Sequence, residues 1–206
     1  MKLNPIDIFS DWAQSGKDES MAEAHKPAVM EMLQYVFESY NKPFSFIDAG
    51  CGNGWVIRQV LSDSNCNKAI GIDGSIEMIK KAKSSDLIGE YFCSDLLDWR
   101  PSKKVDVVHS MEVFYYFKNP FTLVKHVADN WIKPGGLIIM GIDHYIGNPN
   151  SYSWSDDLNV HMALMNDMEW KNIFYKSGFN NCKSWQANQK NDAPGTLVIS
   201  GQLKMC

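Results

Sequence analysis

Between Phe46 and Gly54 the chain reads Phe-Ile-Asp-Ala-Gly-Cys-Gly-Asn-Gly, the pattern of a buried strand that runs into a glycine turn and opens a helix. Phe44, Phe46 and Ile47 are strand formers, and Val56, Ile57, Val60 and Leu61 recur at helical spacing just beyond the glycines. The predicted order is strand, turn, helix. Gly50, Gly52 and Gly54 lack a Cβ, so the backbone there can take positive φ and approach a bound molecule, while a helix start offers free N–H groups. Asp48, at the end of the strand, is expected at the lip of this cradle.

A dinucleotide-binding turn needs glycines at its first, third and sixth positions. Counting from Gly50, the sixth position is Trp55, whose indole opposes the close helix–strand packing that the motif requires. Asp48 would also repel a pyrophosphate, and a cationic ligand suits that carboxylate better. The next strand, predicted over Lys68–Ile72, ends in Gly71-Ile72-Asp73-Gly74-Ser75, with Ser75 a candidate helix N-cap. Asp73 lies 23 residues beyond Gly50, where an acid can accept hydrogen bonds from both hydroxyls of a ribose. Tyr91-Phe92-Cys93-Ser94-Asp95-Leu96-Leu97 reads as a third short strand ending in an acid. Asp48, Asp73 and Asp95 thus fall at three successive strand ends, the edge at which open α/β sheets bind ligands.

Val105 to His109 is apolar enough for a central parallel strand, and Ser110-Met111-Glu112 with Tyr115 and Tyr116 follows where a ligand-facing loop belongs. Asn119 and Pro120 signal a helix whose buried face is expected to carry Phe121, Val124, Val127 and Trp131, and Lys133-Pro134-Gly135-Gly136 should stop it. Leu137–Ile142 is a fifth strand, buried on both faces. Upstream, Asp7–Glu23 is sparse in apolar residues and reads as a cover over the site, with a core-facing helix beginning near Pro27 and His25 a candidate to point inward. Downstream, the region 143–165 carries His144, Tyr145, Tyr152, Trp154, Asp156, Asp157 and His161 with few regular signals, as a binding loop or lid does. Asp167–Lys176 reads as a helix ending at Gly178, and strands over Cys182–Gln189 and Thr196–Leu203 flank a turn near Asp192-Ala193-Pro194-Gly195.

The 206 residues, 45% hydrophobic, are expected to form one domain over 1–206, with 1–42 as its helical cover. A net charge of −4 gives no broad basic surface, so a nucleic-acid substrate is disfavoured and a small-molecule acceptor gains. The first ten residues lack a signal-peptide core and no run of about 18 apolar residues occurs, so the expectation is a soluble, cytoplasmic protein without membrane contact. Cys51, Cys66, Cys93, Cys182 and Cys206 are scattered, which indicates reduced thiols and neither a zinc site nor a disulfide framework.

Across Phe44 to Ile142, roughly half the chain, the ordered motifs Asp-x-Gly-x-Gly-x-Gly, Gly-Ile-Asp-Gly-Ser, Ser-Asp-Leu, Val-Asp-Val-Val and Lys-Pro-Gly-Gly resemble the class I S-adenosylmethionine-dependent methyltransferases of the type 11 kind. The resemblance implies a Rossmann-like, doubly wound, mostly parallel seven-stranded α/β sheet, helices on both faces, closed by a C-terminal antiparallel hairpin. It implies S-adenosylmethionine as cofactor and S-adenosylhomocysteine as product. They would be held by Asp48, Ala49, Gly50, Cys51, Gly52 and Gly54, by Asp73 and Gly74, by Ser94, Asp95 and Leu96, and by Ser110 and Met111. In that pattern Asp48 faces the amino-acid end of the cofactor, while Asp95 and a neighbouring backbone N–H meet the adenine. Many relatives carry a Glu or His pair where this chain has Tyr115 and Tyr116, a departure that leaves the acceptor open. Neither the Asn-Pro-Pro-Tyr signature nor a Pro-Cys nucleophile motif is present. Tyr115, His144 and Glu112 are candidates by position for a base, and an aromatic loop could instead recognise an amine by cation–π contact. Two other readings stand beside this one: a cofactor-binding subunit without catalysis, and a nicotinamide-dependent oxidoreductase, which Trp55 and Asp48 oppose.

Overall fold

The computed structural model describes residues 2–191 and 193–205. Seven strands form one sheet: β1 (Phe44–Ala49), β2 (Cys66–Asp73), β3 (Glu90–Cys93), β4 (Val105–Met111), β5 (Ile132–Ile142), β6 (Phe179–Ala187) and β7 (Thr196–Leu203). Their order across the sheet is β3-β2-β1-β4-β5-β7-β6. The first five are parallel, and β7 runs antiparallel to both β5 and β6. The expected doubly wound sheet with a C-terminal hairpin is therefore present.

Period-two alternation sorts the strand residues onto two cores. Phe46, Val107, Ile139 and Val198 pack on one face, with Met32 and Leu33 of α2 (Lys17–Ser39), Val56 and Ile57 of α3 (Trp55–Val60) and Ile79 of α4 (Ile76–Ser85). Ile47, Val108, Ile138 and Ile199 pack on the other, with Leu123 and Val127 of α5 (Pro120–Asn130) and with Trp170 and Phe174 of the C-terminal helix Asp167–Lys176. A strand buried on both faces has to be apolar throughout, which is why these segments stand out in the sequence.

Several boundaries differ from expectation. The helix expected near Pro27 begins at Lys17 and carries Pro27 inside it; the N-terminal break lies instead at Gly16, whose φ of 78° ends α1 (Pro5–Ser15) and starts α2. A proline in a helix interior removes one N–H, but Ala28, Val29, Met32, Leu33 and Val36 are buried beyond it and hold the helix to the sheet. The third strand stops at Cys93, so Asp95 lies in the loop after it. Asn119 precedes α5 without a side-chain capping bond, and Leu123 and Ala128 are buried in that helix whereas Phe121 is only half-buried. Lys133-Pro134-Gly135-Gly136 belongs to the start of β5 instead of stopping α5, which ends at Asn130. Among the cysteines, Cys51, Cys66, Cys93 and Cys182 are free thiols; Cys206 and Asp192 lie outside the described residues.

The N-terminal helices close over the strand ends. Ser10 of α1 meets Ser75 at 2.8 Å between hydroxyls, and Leu3 bridges to Val160, tying the N-terminus to the 143–165 region. That region contains one helical turn at Pro149–Ser151 and the short helix α6 (Trp154–Asp157), and the C-terminal helix Asp167–Lys176 is α7. Among the described residues no helix is long and apolar enough to cross a membrane.

Candidate active site

Sheet order reverses between β1 and β4, and at the carboxyl ends of these strands opens a cavity of about 490 Å³ roofed by α1 and the first turns of α2. Asp48, Gly50, Cys51 and Gly52 line it from the glycine turn, Asp73 and Gly74 from the end of β2, and Ser94, Asp95 and Leu96 from the loop after β3. Met111, Glu112 and Tyr115 complete the far wall. Ala49, Gly54, Ser110 and His144 sit behind the wall. The Ser110 hydroxyl donates to the Ala49 carbonyl at 2.8 Å, and Gly54 lies beneath the Tyr91 ring.

The glycine turn is drawn tight by Asp73. Its carboxylate accepts the Gly52 N–H at 2.9 Å and the Ser75 N–H at 2.8 Å, and burial holds its pKa above the usual carboxylate value. Gly50, Gly52 and Gly54 have φ of 78°, 51° and 76°, yet they are glycines for different reasons. A Cβ on Gly50 would come within 2.2 Å of Val113, and one on Gly54 within 2.7 Å of Tyr91. One on Gly52 would meet only the Met78 sulfur, at 3.9 Å, and so would project into the cavity.

Three groups the sequence did not mark as functional shape the electrostatics. His109 stands opposite Asp48 in the β1–β4 register and its Nδ1 lies 2.7 Å from the buried Asp48 carboxylate. Asp18, buried at the start of α2, accepts from the Asn53 amide at 2.7 Å and from the Lys81 ammonium at 2.7 Å, fastening the cover to the glycine turn and to α4. Lys17 is the one lysine on the cavity wall among the described residues, and no arginine lines it; its ammonium rests 3.8 Å from the centre of the Trp12 ring. Asp18 and Lys17 lie in a polar stretch without apolar periodicity, and the partner of Asp48 depends on strand register, which sequence spacing does not disclose.

Glu112 adopts a left-handed backbone conformation, φ 61°, unusual for a side-chain-bearing residue, with its N–H bonded to Gly141 O at 2.9 Å. This turn sends the carboxyl into a cluster. It accepts from the Tyr115 hydroxyl at 2.7 Å and from the Asp143 N–H; Asp143 in turn accepts from Thr196 at 2.6 Å and faces His25 Nε2 at 3.5 Å. Burial, with the nearby Asp143 charge, pushes the Glu112 pKa up to about 7. Burial pulls the His25 imidazole down, but the Asp143 hydrogen bond and the charges of Glu112 and Asp143 outweigh it and its pKa is raised. The cover residue His25 does point inward. His25, Glu112 and Asp143 offer ligand atoms within 4.8 Å of one another, and both Glu112 oxygens and one of Asp143 also accept protein hydrogen bonds.

A raised carboxyl pKa has a definite thermodynamic sign. The folded state holds the Glu112 proton where the unfolded state has released it, so this contribution is fully present below about 4.5 and is lost as pH rises through about 7. Glu112→Gln is therefore expected to be more stable than wild type by about 2–3 kcal/mol at pH 8, the difference shrinking toward pH 5. Thermal midpoints of both proteins across that range check it; a difference independent of pH would contradict the assignment.

Of the remaining candidates, Tyr115 is both core and wall: its ring is 1% exposed while its edge lines the cavity. His144 is buried behind it, with Nδ1 bonded to Ser151 O at 2.9 Å and its ring between Tyr115 and Trp154. Burial lowers its pKa, and at the second layer it supports the two aromatic rings. Tyr145 is also inward, its hydroxyl bonded to Gln186 and Gly195, whereas Trp154 and Asp157 of α6 reach the cavity. Phe9, Tyr116 and Phe117 extend this aromatic wall.

Residues 21–184 match a family model described as a methyltransferase domain. Among curated proteins the chain is 28% identical over 136 residues to the malonyl-[acyl-carrier protein] O-methyltransferase 2 of Ilyobacter polytropus, covering 64% of this chain and 50% of that protein. It is 22% identical to the trans-aconitate 2-methyltransferase of Agrobacterium fabrum, covering 79% of this chain and 57% of that one. The chain thus spans about half the length of these curated relatives. Among solved structures, a chain of the complex between the Haloferax volcanii Trm112 methyltransferase activator and a methyltransferase superposes with a TM-score of 0.82 at 22% identity, covering 95% of this chain and 97% of that one.

Proposed function

The chain belongs to the class I S-adenosylmethionine-dependent methyltransferases, and from that membership we propose that it methylates a small-molecule acceptor in the cavity at the β1–β4 switch point. The observation that carries this reading is the convergence of the glycine turn with Asp48, Asp73 and Asp95 on one cavity. The residues fit the cofactor: the space in front of Gly52 is what a backbone-hugging ligand needs, and carboxylates stand at the ends of β1 and β2 and in the loop after β3.

Each Asp73 oxygen that accepts a backbone N–H keeps a second lone pair, enough for the two ribose hydroxyls. Asp95 and the Leu96 N–H would hold the adenine. Asp48, and Lys17 from the cover, carry charges opposite to those of the amino and carboxylate groups at the other end. Bound there, S-adenosylmethionine supplies a methyl group on a positively charged sulfur. The chain's own task is then to position the acceptor and exclude water, and positioning alone is worth up to about 7–11 kcal/mol. Tyr115 and Glu112 on the far wall orient the acceptor, and Glu112, with a pKa near neutrality, is the group able to take a proton from it. The cysteine in the turn does not compete for that role, since burial pushes the Cys51 thiol well above its ordinary value.

Calorimetric titration distinguishes this reading from a nicotinamide enzyme. One equivalent of S-adenosylhomocysteine should bind and NADH should not; NADH binding, with no response to S-adenosylhomocysteine, would overturn it.

A further inference from the structure

The charges on the cavity wall are unequal, and the inequality bears on what the second ligand is. Asp18, Asp48, Asp73, Asp95, Glu112 and Asp157 all line the cavity, against Lys17 and His25. Asp18 is neutralised by Lys81, and Asp48 lies against His109. Asp73 and Asp95 stand on the side assigned to the adenosine, and Lys17, the one lysine on the wall among the described residues, is assigned to the cofactor carboxylate. Among the described residues, that leaves Glu112 and the solvent-exposed Asp157 without a lysine or arginine partner on a wall that also carries Phe9, Tyr116, Phe117 and Trp154. An acidic acceptor would bring another negative charge into a partly desolvated space beside Glu112, where His25 already faces Asp143 at 3.5 Å and Lys17 is assigned to the cofactor carboxylate. An ammonium group supplies both the missing charge and several N–H donors, and aromatic faces attract it.

We propose, resting on the methyltransferase reading above, that the acceptor is a small primary or secondary amine, held as its ammonium ion by Glu112 and the aromatic wall of Phe9, Tyr116, Phe117 and Trp154. One proton passes from the ammonium nitrogen to the Glu112 carboxylate, leaving a neutral amine with a free lone pair and a neutral carboxyl. Tyr115, hydrogen-bonded to Glu112 at 2.7 Å, fixes the carboxyl for this exchange. The body of the amine is compact and apolar or aromatic, since the cofactor occupies much of the cavity. This differs from the acidic acceptor in the name of the trans-aconitate methyltransferase relative.

The test uses the full chain loaded with S-adenosylhomocysteine and pairs of probes with the same skeleton, phenethylamine against 3-phenylpropionate and histamine against imidazolepropionate. Binding is read from the fluorescence of the cavity tryptophans and turnover from methyl-labelled cofactor. At least one amine should bind tenfold or more tightly than its acid partner and be methylated. Glu112→Gln should erase most of that preference while S-adenosylhomocysteine affinity stays within about threefold. Acids bound as well as amines, no amine bound at millimolar concentration, or a preference unchanged in Glu112→Gln would each overturn the proposal. Failure of S-adenosylhomocysteine to bind before any probe is added would instead overturn the cofactor reading.

Discussion

Asp73→Ala is expected to weaken S-adenosylmethionine and S-adenosylhomocysteine alike, by about a hundredfold or more, because both carry the same ribose. Each hydrogen bond to a charged acceptor is worth about 1.5–3 kcal/mol, and two would be lost. The same carboxylate also ties the Gly52 N–H to the end of β2, so its removal loosens the cradle as well as the ribose contact. Calorimetry with both ligands gives the affinities, and the thermal midpoint of the free protein separates loss of contact from loss of fold. Wild-type affinity for both ligands would remove Asp73 from the site.

Gly52→Val should have a larger effect on binding and a smaller one on folding. At φ 51° a side chain costs about 1–2 kcal/mol, but the new Cβ meets nothing closer than the Met78 sulfur at 3.9 Å. A loss of about 2–8 °C in thermal midpoint is expected for a chain of this size, with the domain still folded. Cofactor binding should fall below detection because the branched side chain stands where the ligand must approach. Gly50 and Gly54 are poorer probes, since a Cβ there strikes Val113 or Tyr91 and perturbs packing first. Tight S-adenosylhomocysteine binding by a folded Gly52→Val protein would contradict the cradle.

The contrast among these glycines shows what sequence reading reaches. Strands buried on both faces must be apolar along their length, so β1, β4 and β5 stand out in the chain, and an acid after such a strand can be placed at the ligand edge by count alone. The N-terminal cover was harder to read. The first half of α2 presents Lys17, Asp18, Met21 and His25 to a cavity and carries no apolar stripe, so Pro27 looked like a helix start although the chain turns at Gly16. Glu112 was legible as a position and not as a chemistry: its left-handed backbone, its bonds to Tyr115 and Asp143 and its raised pKa arise from three segments meeting in space. The same holds for His144, whose polar character suggests a site residue but whose Nδ1 is occupied by Ser151 O behind the wall. The pairing of Asp48 with His109 is set by the register of two non-consecutive strands.

The central claim is that one cavity holds both the cofactor and the acceptor, and a crystal structure of the protein with S-adenosylhomocysteine tests it most directly. The ribose hydroxyls should lie within hydrogen-bond distance of Asp73 and the adenine beside Asp95 and Leu96, with the sulfur turned toward Tyr115 and Glu112. A ligand seated elsewhere, or a sulfur more than about 10 Å from both Tyr115 and Glu112, beyond reach of any acceptor they could hold even through one water, would contradict it.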